Sequence, residues 1–468
     1  MVPDLNPLFP PPAERERIDA LLGAALARAE ARIGREPVTP RLSRADIADE
    51  LASFDFQSPR PLEELMSWII DRLEHGVTRV THPRYFGLFN PAPTHPAQCA
   101  DRIAAAFNPQ LASATTSPFA VALEDYLIRS VAARAGLPGE ASGHFTTGGS
   151  EANATALIGA LTAAHPGFAR EGARCFKAQP SLYISREAHL AWIKIAHQTG
   201  IGRDAVRLVA TDGAGRMHPD ALATLIARDL GAGRLPVLVV ATAGTTGAGM
   251  IDPLDEIGKI ARHYGVWHHV DAAWAGAAIA SDRLRPLLSG IEDADSVTID
   301  AHKWFATTMG CGMFITRRLA TLSEAFQVST TYMPSNEAAL DPYVTSIQWS
   351  RRFLGIRLFL SLGVAGWEGY AAHVERAVGI AQRIGEQLRA HGWRVVNDSP
   401  VAVLCLEPPQ DAPDPRTIVR YVLASGRAFV SVASFEGREV VRACVTHGAT
   451  SDEDSAILID VLEEARRR

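Results

Sequence analysis

Three short apolar runs, VLVVATA (237–243), VWHHVDAA (266–273) and SVTID (296–300), follow one another, with a helical pattern near Leu254 to His263 between the first two. Valine-rich runs of this length, alternating with helices, build parallel strands covered on both faces. The alternation extends over about 80–370, so most of the chain is expected to form an α/β unit around a mainly parallel sheet. Ligands of such sheets collect beyond the carboxyl ends of the strands. Polar residues stand at those ends: Asp271 after one run, then Asp300, His302 and Lys303 after another. An isolated buried ammonium is too costly to keep. Lys303 must therefore be paired, neutralised or used covalently.

The flanks read differently. Pro10 to Pro12 form a stiff extended stretch. In LEELMSWIIDRLEHG, the residues Leu62, Leu65, Met66, Ile69, Ile70 and Leu73 follow helical spacing, and Gly76 stops it. A stripe this wide needs a partner surface, from a second subunit or from the chain's own main body. From about 371 a long helix, HVERAVGIAQRIGEQLRAHG, precedes the runs VAVLCLE, AFVSVAS and EVVRACVT, with a helix near Thr417 to Leu423 and another at the end. That pattern reads as a small α+β domain on an antiparallel sheet. The expected organisation is an arm with helices (1–80), a large domain (81–370) and a small domain (371–468).

Composition narrows the partners. A hydrophobic fraction of 47% supports a large core. A net charge of -6, without any polybasic run, gives no reason to expect nucleic acid or an anionic membrane. The N-terminus lacks the basic start and apolar core of a signal peptide, and no apolar run reaches membrane-spanning length, so a cytoplasmic location is expected. The five cysteines form no CxxC pair; reduced thiols are expected, and no metal site.

The chemistry lies in four motifs. HFTTGGSEANATALIGAL (144–161) places Gly148, Gly149 and Ser150 before a long helix, with Ser150 able to cap it. Glycines let the backbone approach a ligand, and a helix N-terminus suits phosphate. Alone, this is an ordinary capped helix. GTTGAG (244–249) offers Thr246 at the sheet's carboxyl edge, as many strand-to-helix turns would. In HHVDAAWAG (268–276), Asp271 ends a strand made for burial and needs a donor or cationic partner, while Ala272 and Ala273 leave room for something flat. Lys303 follows one strand later. An amine, a phosphate cup, a carboxylate for a ring nitrogen and a flat slot are the handles of pyridoxal phosphate. Lys303, Ser150 with Gly149, Asp271 and Ala273 supply them in turn. His189, after a strand and opening an amphipathic helix, is placed to stack on the cofactor ring.

The sequence resembles the pyridoxal-dependent decarboxylase family that includes aromatic-L-amino-acid and glutamate decarboxylases. The likeness runs from about His82 to Thr446, through HPRYFGLFNPAP, TTGGSEAN, REAHLAWIKIA, GTT, HVDAAWAG, DAHKWF, SRRFLGIRLF and VVRACVT. It implies a fold-type I, aminotransferase-like architecture and a homodimer with shared active sites. It implies that Lys303 is the Schiff-base lysine, Asp271 the pyridinium partner and His189 the stacking residue, which also contacts the substrate carboxylate. By the same likeness Gly149, Ser150, Asp300 and His302 surround the phosphate, and Thr246 and Ala273 border the cofactor. Arg442 would lie near the substrate carboxylate or the helix that binds it, and Phe89 and Phe107 would line the side-chain pocket. Tyr332, in the long polar segment 326–346, would return a proton after carbon dioxide leaves.

Leu88, Asn90 and Trp274 depart from the Tyr, Pro and Tyr of aromatic-acid members, and Asp300 stands where several animal relatives carry Asn. These departures bear on the substrate. The resemblance points to decarboxylation of an aromatic L-amino acid. An oxidative aldehyde synthase, an aminotransferase and a silent cofactor-binding protein remain alternatives. A nicotinamide-dependent enzyme is disfavoured because no GxGxxG opens a helix in the right place.

Overall fold

The computed structural model describes residues 8–328 and 341–468. Seven strands form the main sheet: β1 (Ser142–Thr146), β2 (Pro180–Ser185), β3 (Val206–Val209), β4 (Leu235–Thr242), β5 (Trp267–Asp271), β6 (Ser296–Asp300) and β7 (Gly312–Thr316). Their order is β1-β7-β6-β5-β4-β2-β3. The pairs from β6 through β3 are parallel, while β7 runs antiparallel to both of its neighbours.

Alternate residues of each strand enter different cores, as the period of two requires. Leu238, Val240, Trp267 and Phe314 pack on one face with Ala152, Ala156 and Leu157 of the helix Gly149–Ala164. Val239, Ala241, Val270, Val297 and Ile315 pack on the other face, which carries the helix Leu254–Tyr264. Both faces are therefore dry, and polar side chains within the sheet must find partners there or at its carboxyl edge.

The small sheet is antiparallel, as expected. Its order is β10-β11-β9-β8, formed by β8 (Arg394–Val395), β9 (Val403–Glu407), β10 (Ser431–Phe435) and β11 (Arg438–Cys444). The long helix expected from about 371 begins earlier. It spans Gly355–Ala390 and is interrupted at Gly366, with φ 62° and ψ 178°. Glycine adopts that positive φ at no steric cost, so the apolar pattern continues across a break in direction.

The helices Pro12–Arg32 and Leu62–Gly76 contain no buried residue. Leu62, Ile69 and Leu73 are 45%, 45% and 53% exposed while Leu65, Met66 and Ile70 are half-buried, so the described residues cover the stripe only in part. Among the described residues no helix is long and apolar enough to cross a membrane. Cys311, Cys405 and Cys444 are buried, and Cys99 and Cys175 half-buried; all five are free thiols.

Candidate active site

A cavity of about 320 Å³ opens at the carboxyl edge of the sheet. The helix Gly149–Ala164, the connection after β2, the ends of β4 and β5 and the turn after β6 all reach it. Of the residues singled out from sequence, Phe89, Gly149, Ser150, His189, Thr246, Asp271, Ala273, Asp300, His302 and Lys303 line it together.

Lys303 lies in the turn that follows β6, with its Nζ 3.0 Å from Asp300 Oδ2. Its side chain is 22% exposed, against 2% for Asp300. The ammonium is thus paired on its buried side and open to the cavity on the other. The pairing also answers why a carboxylate can stand at position 300, since the neighbouring cation balances it. Asp300 Oδ1 is buried without a hydrogen-bond partner among the described residues.

Asp271 is buried at the end of β5. Its Oδ2 accepts from Asn153 Nδ2 at 2.8 Å and its Oδ1 from the Ala273 backbone N–H at 3.2 Å. Each carboxylate oxygen keeps a further lone pair for a donor in the cavity.

His189 Nδ1 accepts the Ala191 backbone N–H at 3.1 Å. Burial pushes its pKa down, partly offset by the Asp271 carboxylate. The ring is therefore a neutral imidazole whose proton sits on Nε2. His302 lies with Nδ1 3.0 Å from the Cys311 carbonyl oxygen.

Ser150 does not cap the helix. Gly148 is the N-cap residue, no side-chain cap bond forms, and Ser150 sits inside the first turn. The Thr147 N–H and hydroxyl go instead to Glu151 Oε2, at 2.8 and 2.7 Å. Gly149 keeps the cup open, because a Cβ there would stand 2.8 Å from Asp300 Oδ2. Gly149 and Ser150 thus line the cavity at the start of the helix, which suits a phosphate.

One wall is aromatic. Phe89 and Trp274 stack with ring centroids 4.0 Å apart at 12°, and Trp274 stacks on Trp304 at 4.7 Å and 10°. The Arg442 guanidinium caps this stack 4.6 Å from the Phe89 centroid. Gly244 allows the stack, since its φ is 94° and a Cβ would lie 2.9 Å from Trp274 Cδ1.

Two expected residues stand apart from this group. Arg442 is not brought into the cavity; its Nε donates to the Gly247 carbonyl at 3.1 Å and its Nη1 to the Gly87 carbonyl. It braces the end of the stack at Phe89. Phe107, at the end of the helix His95–Phe107, is 82% exposed and does not line this cavity. Tyr332 lies outside the described residues.

Sequence reading missed Asn153, Thr242 and His269. Asn153 carried a legible signal: a poor helix former in the buried stretch of an alanine-rich helix needs a polar reason to be there. Thr242 lines the cavity, with its hydroxyl buried and unpartnered among the described residues.

The residues present fit pyridoxal phosphate. A primary amine faces a cavity of suitable size, a helix N-terminus provides a cup, and a buried carboxylate awaits a ring N–H beside small Ala273. The pyridoxal-dependent decarboxylase conserved domain matches residues 49–406, and the chain belongs to that family. It is a pyridoxal-phosphate-dependent carboxy-lyase of the fold-type I architecture, acting on an amino acid.

The L-2,4-diaminobutyrate decarboxylase of Rhizobium meliloti (strain 1021) is 35% identical over 303 residues, covering 64% of this chain and 59% of that protein. Tyrosine decarboxylase 2 of Narcissus pseudonarcissus is 28% identical over 438 residues, covering 89% of this chain and 87% of that one. The crystal structure of mouse CSAD in apo form superposes with a TM-score of 0.91 over 97% of this chain and 99% of that one, at 24% identity; it shares the fold.

Proposed function

We propose that the chain decarboxylates an aromatic L-amino acid to its amine and carbon dioxide. The observation that carries this reading is the aromatic wall of Phe89 and Trp274 along the cavity, which presents apolar ring edges, its faces being covered within the stack, to an aromatic side chain. Among the described residues lining the cavity, Lys303 is the only lysine or arginine. Among the described lining residues of one chain, no further lysine or arginine is present for a second substrate carboxylate. Glu151 is engaged by Thr147 on Oε2 and by Gln348 Nε2 at 2.6 Å on Oε1.

The geometry of the cavity supports the roles proposed for its lining residues, and the role of Tyr332 rests on the sequence likeness. Bound pyridoxal phosphate would supply the electron sink that lets the α-carboxylate leave. Lys303 would hold the cofactor through its amine and face the substrate amine. Gly149 and Ser150 would receive the phosphate at the helix N-terminus, with Asp300 and His302 beside them. Asp271 would accept the ring N–H and keep the ring nitrogen protonated. His189 would stack on the ring and offer its Nε2–H to the substrate carboxylate, while Thr246 and Ala273 would border the ring. Tyr332 would provide the proton that replaces carbon dioxide on the substrate carbon. An aldehyde-forming reaction is the second reading, and Tyr332 speaks against it.

The working unit of this proposal is a homodimer with shared sites, supported by the exposed part of the stripe, Leu62, Ile69 and Leu73. On this reading Phe107, exposed on its own chain, completes the pocket of a second copy. Residues 1–80 form the dimerising arm, 81–370 the cofactor-binding domain and 371–468 the small domain.

The test is purified protein with pyridoxal phosphate and a panel of L-amino acids: aromatic, acidic, diaminobutyrate and cysteine sulfinate. Carbon dioxide, amine, aldehyde and peroxide are measured together. Equal carbon dioxide and amine from aromatic substrates, without peroxide, is the expected result. Aldehyde with peroxide would sink the decarboxylase reading, and turnover confined to acidic or diamino substrates would sink the aromatic one. Lys303→Ala is expected to lower turnover at least roughly 1000-fold and to abolish the visible band of bound cofactor.

A further inference from the structure

Strands β5 and β6 carry polar residues on one shared face. Trp267, His269 and Asp271 alternate along β5, and Ser296 and Thr298 alternate along β6, with His269 opposite Ser296 and Asp271 opposite Thr298. Asn153 lies over them from the helix Gly149–Ala164. All of these residues are buried.

Hydrogen bonds join them in series. Trp267 Nε1 lies 2.8 Å from Ser296 Oγ, and Ser296 Oγ lies 2.8 Å from His269 Nδ1. His269 Nε2 lies 3.1 Å from Asn153 Oδ1, and Asn153 Nδ2 lies 2.8 Å from Asp271 Oδ2. Thr298 Oγ1 stands 3.3 Å from His269 Nε2 as a longer side contact.

The two ends fix every proton between them. A carboxylate only accepts, so Asn153 presents its amide N–H to Asp271. Its carbonyl therefore faces His269 and must accept, which places the imidazole proton on Nε2. Burial lowers the His269 pKa to about 4, so the ring is neutral and its Nδ1 carries a lone pair. The Ser296 hydroxyl donates to that lone pair, and its oxygen accepts from the indole N–H, which can only donate. Reversing any member would set two acceptors or two donors against each other in a dry interior.

We infer that Trp267, Ser296, His269 and Asn153 form a one-directional donor chain that fixes the Asp271 carboxylate for the cofactor ring nitrogen, with His269 as the Nε2–H tautomer. Asn153 and His269 are its positioning residues. Trp192 keeps His269 dry, its ring edge-on to the imidazole with centroids 5.7 Å apart at 70°. The inference rests on Asp271 being the ring-nitrogen partner, and the experiment below separates the two.

The direct test needs no variant. Neutron diffraction, or nitrogen NMR of histidine-labelled protein, reads which ring nitrogen of His269 carries the proton. The expected result is Nε2; a proton on Nδ1 would overturn the chain. The second arm measures the dissociation constant and the visible spectrum of bound pyridoxal phosphate in the full-length protein. His269→Leu removes the donor to Asn153 and is expected to weaken cofactor binding roughly tenfold and to shift the band. His269→Gln, which keeps an amide N–H, is expected to restore most of both. Wild-type affinity and spectrum in His269→Leu would overturn the proposal while leaving Asp271 in its role, provided Asp271→Asn is impaired alongside. An unaltered Asp271→Asn would overturn the reading of Asp271, and the proposal with it.

Discussion

Two adjacent histidines of β5 face opposite sides of the sheet and have opposite surroundings. His268 and His269 are both buried, and burial holds both near a pKa of about 4. On the cavity's side, both ring nitrogens of His269 are hydrogen-bonded. On the other side, neither ring nitrogen of His268 has a partner among the described residues, and its ring lies 3.0 Å from where a Cβ on Gly258 would stand. Burial alone explains the shared neutrality. Only one face gives the neutral ring something to do. The organised face ends on Asp271 and the cavity, whereas the other is a packing surface that carries the cost of an unsatisfied group.

The largest expected effect comes from breaking the organised face at its end. Asp271→Asn should lower turnover roughly 100- to 1000-fold while leaving the thermal melt of the apoprotein nearly unchanged. Steady-state kinetics and circular dichroism check this; near-normal turnover would remove Asp271 from the site.

Acid should damage both faces. His144, at a pKa of about 3, joins His268 and His269, at about 4, all held below the ordinary value near 6.5 chiefly by burial. A folded-state pKa below the unfolded one means that the unfolded chain binds more protons in that window. Stability is therefore full above about pH 6.5 and is lost as pH falls toward the folded values, by on the order of 1–3 kcal/mol per histidine. Thermal melts from pH 7.5 to 4.5 should fall steeply, and a flat profile would contradict the burial of these rings.

The smallest effect sharpens the comparison most. His268→Leu removes a buried group without partners, so it should be neutral to stabilising by about 1 kcal/mol at pH 7.5 and should make the acid loss shallower. Cofactor affinity should stay within roughly twofold of wild type, unlike in His269→Leu. Equal loss of cofactor in both variants would mean that the two faces are not distinct.

Much of the architecture is legible in the sequence. The strand ends that hold Asp271, Asp300 and Lys303 followed from short valine-rich runs closed by charged residues, because a buried strand cannot keep a charge in its middle. The break at Gly366 was not legible, since the apolar pattern of the helix continues through it. Ser150 was misplaced by two positions, because Thr147, Gly148 and Glu151 resolve the helix start among themselves.

The sequence by itself determined the local elements and the chemical handles: an amine after one strand, a carboxylate ending its neighbour, glycines before a helix. Periodicity and residue type act over a few positions, and these features need no more. Tertiary structure alone decided which groups meet. Asn153 reaches Asp271 across 118 residues of chain, and Arg442 reaches the Gly87 carbonyl across 355, seating its guanidinium over the Phe89 ring. Such pairings depend on how a helix seats on a sheet and how the small domain closes against the large one, and no local pattern encodes the distance between elements that touch only after folding.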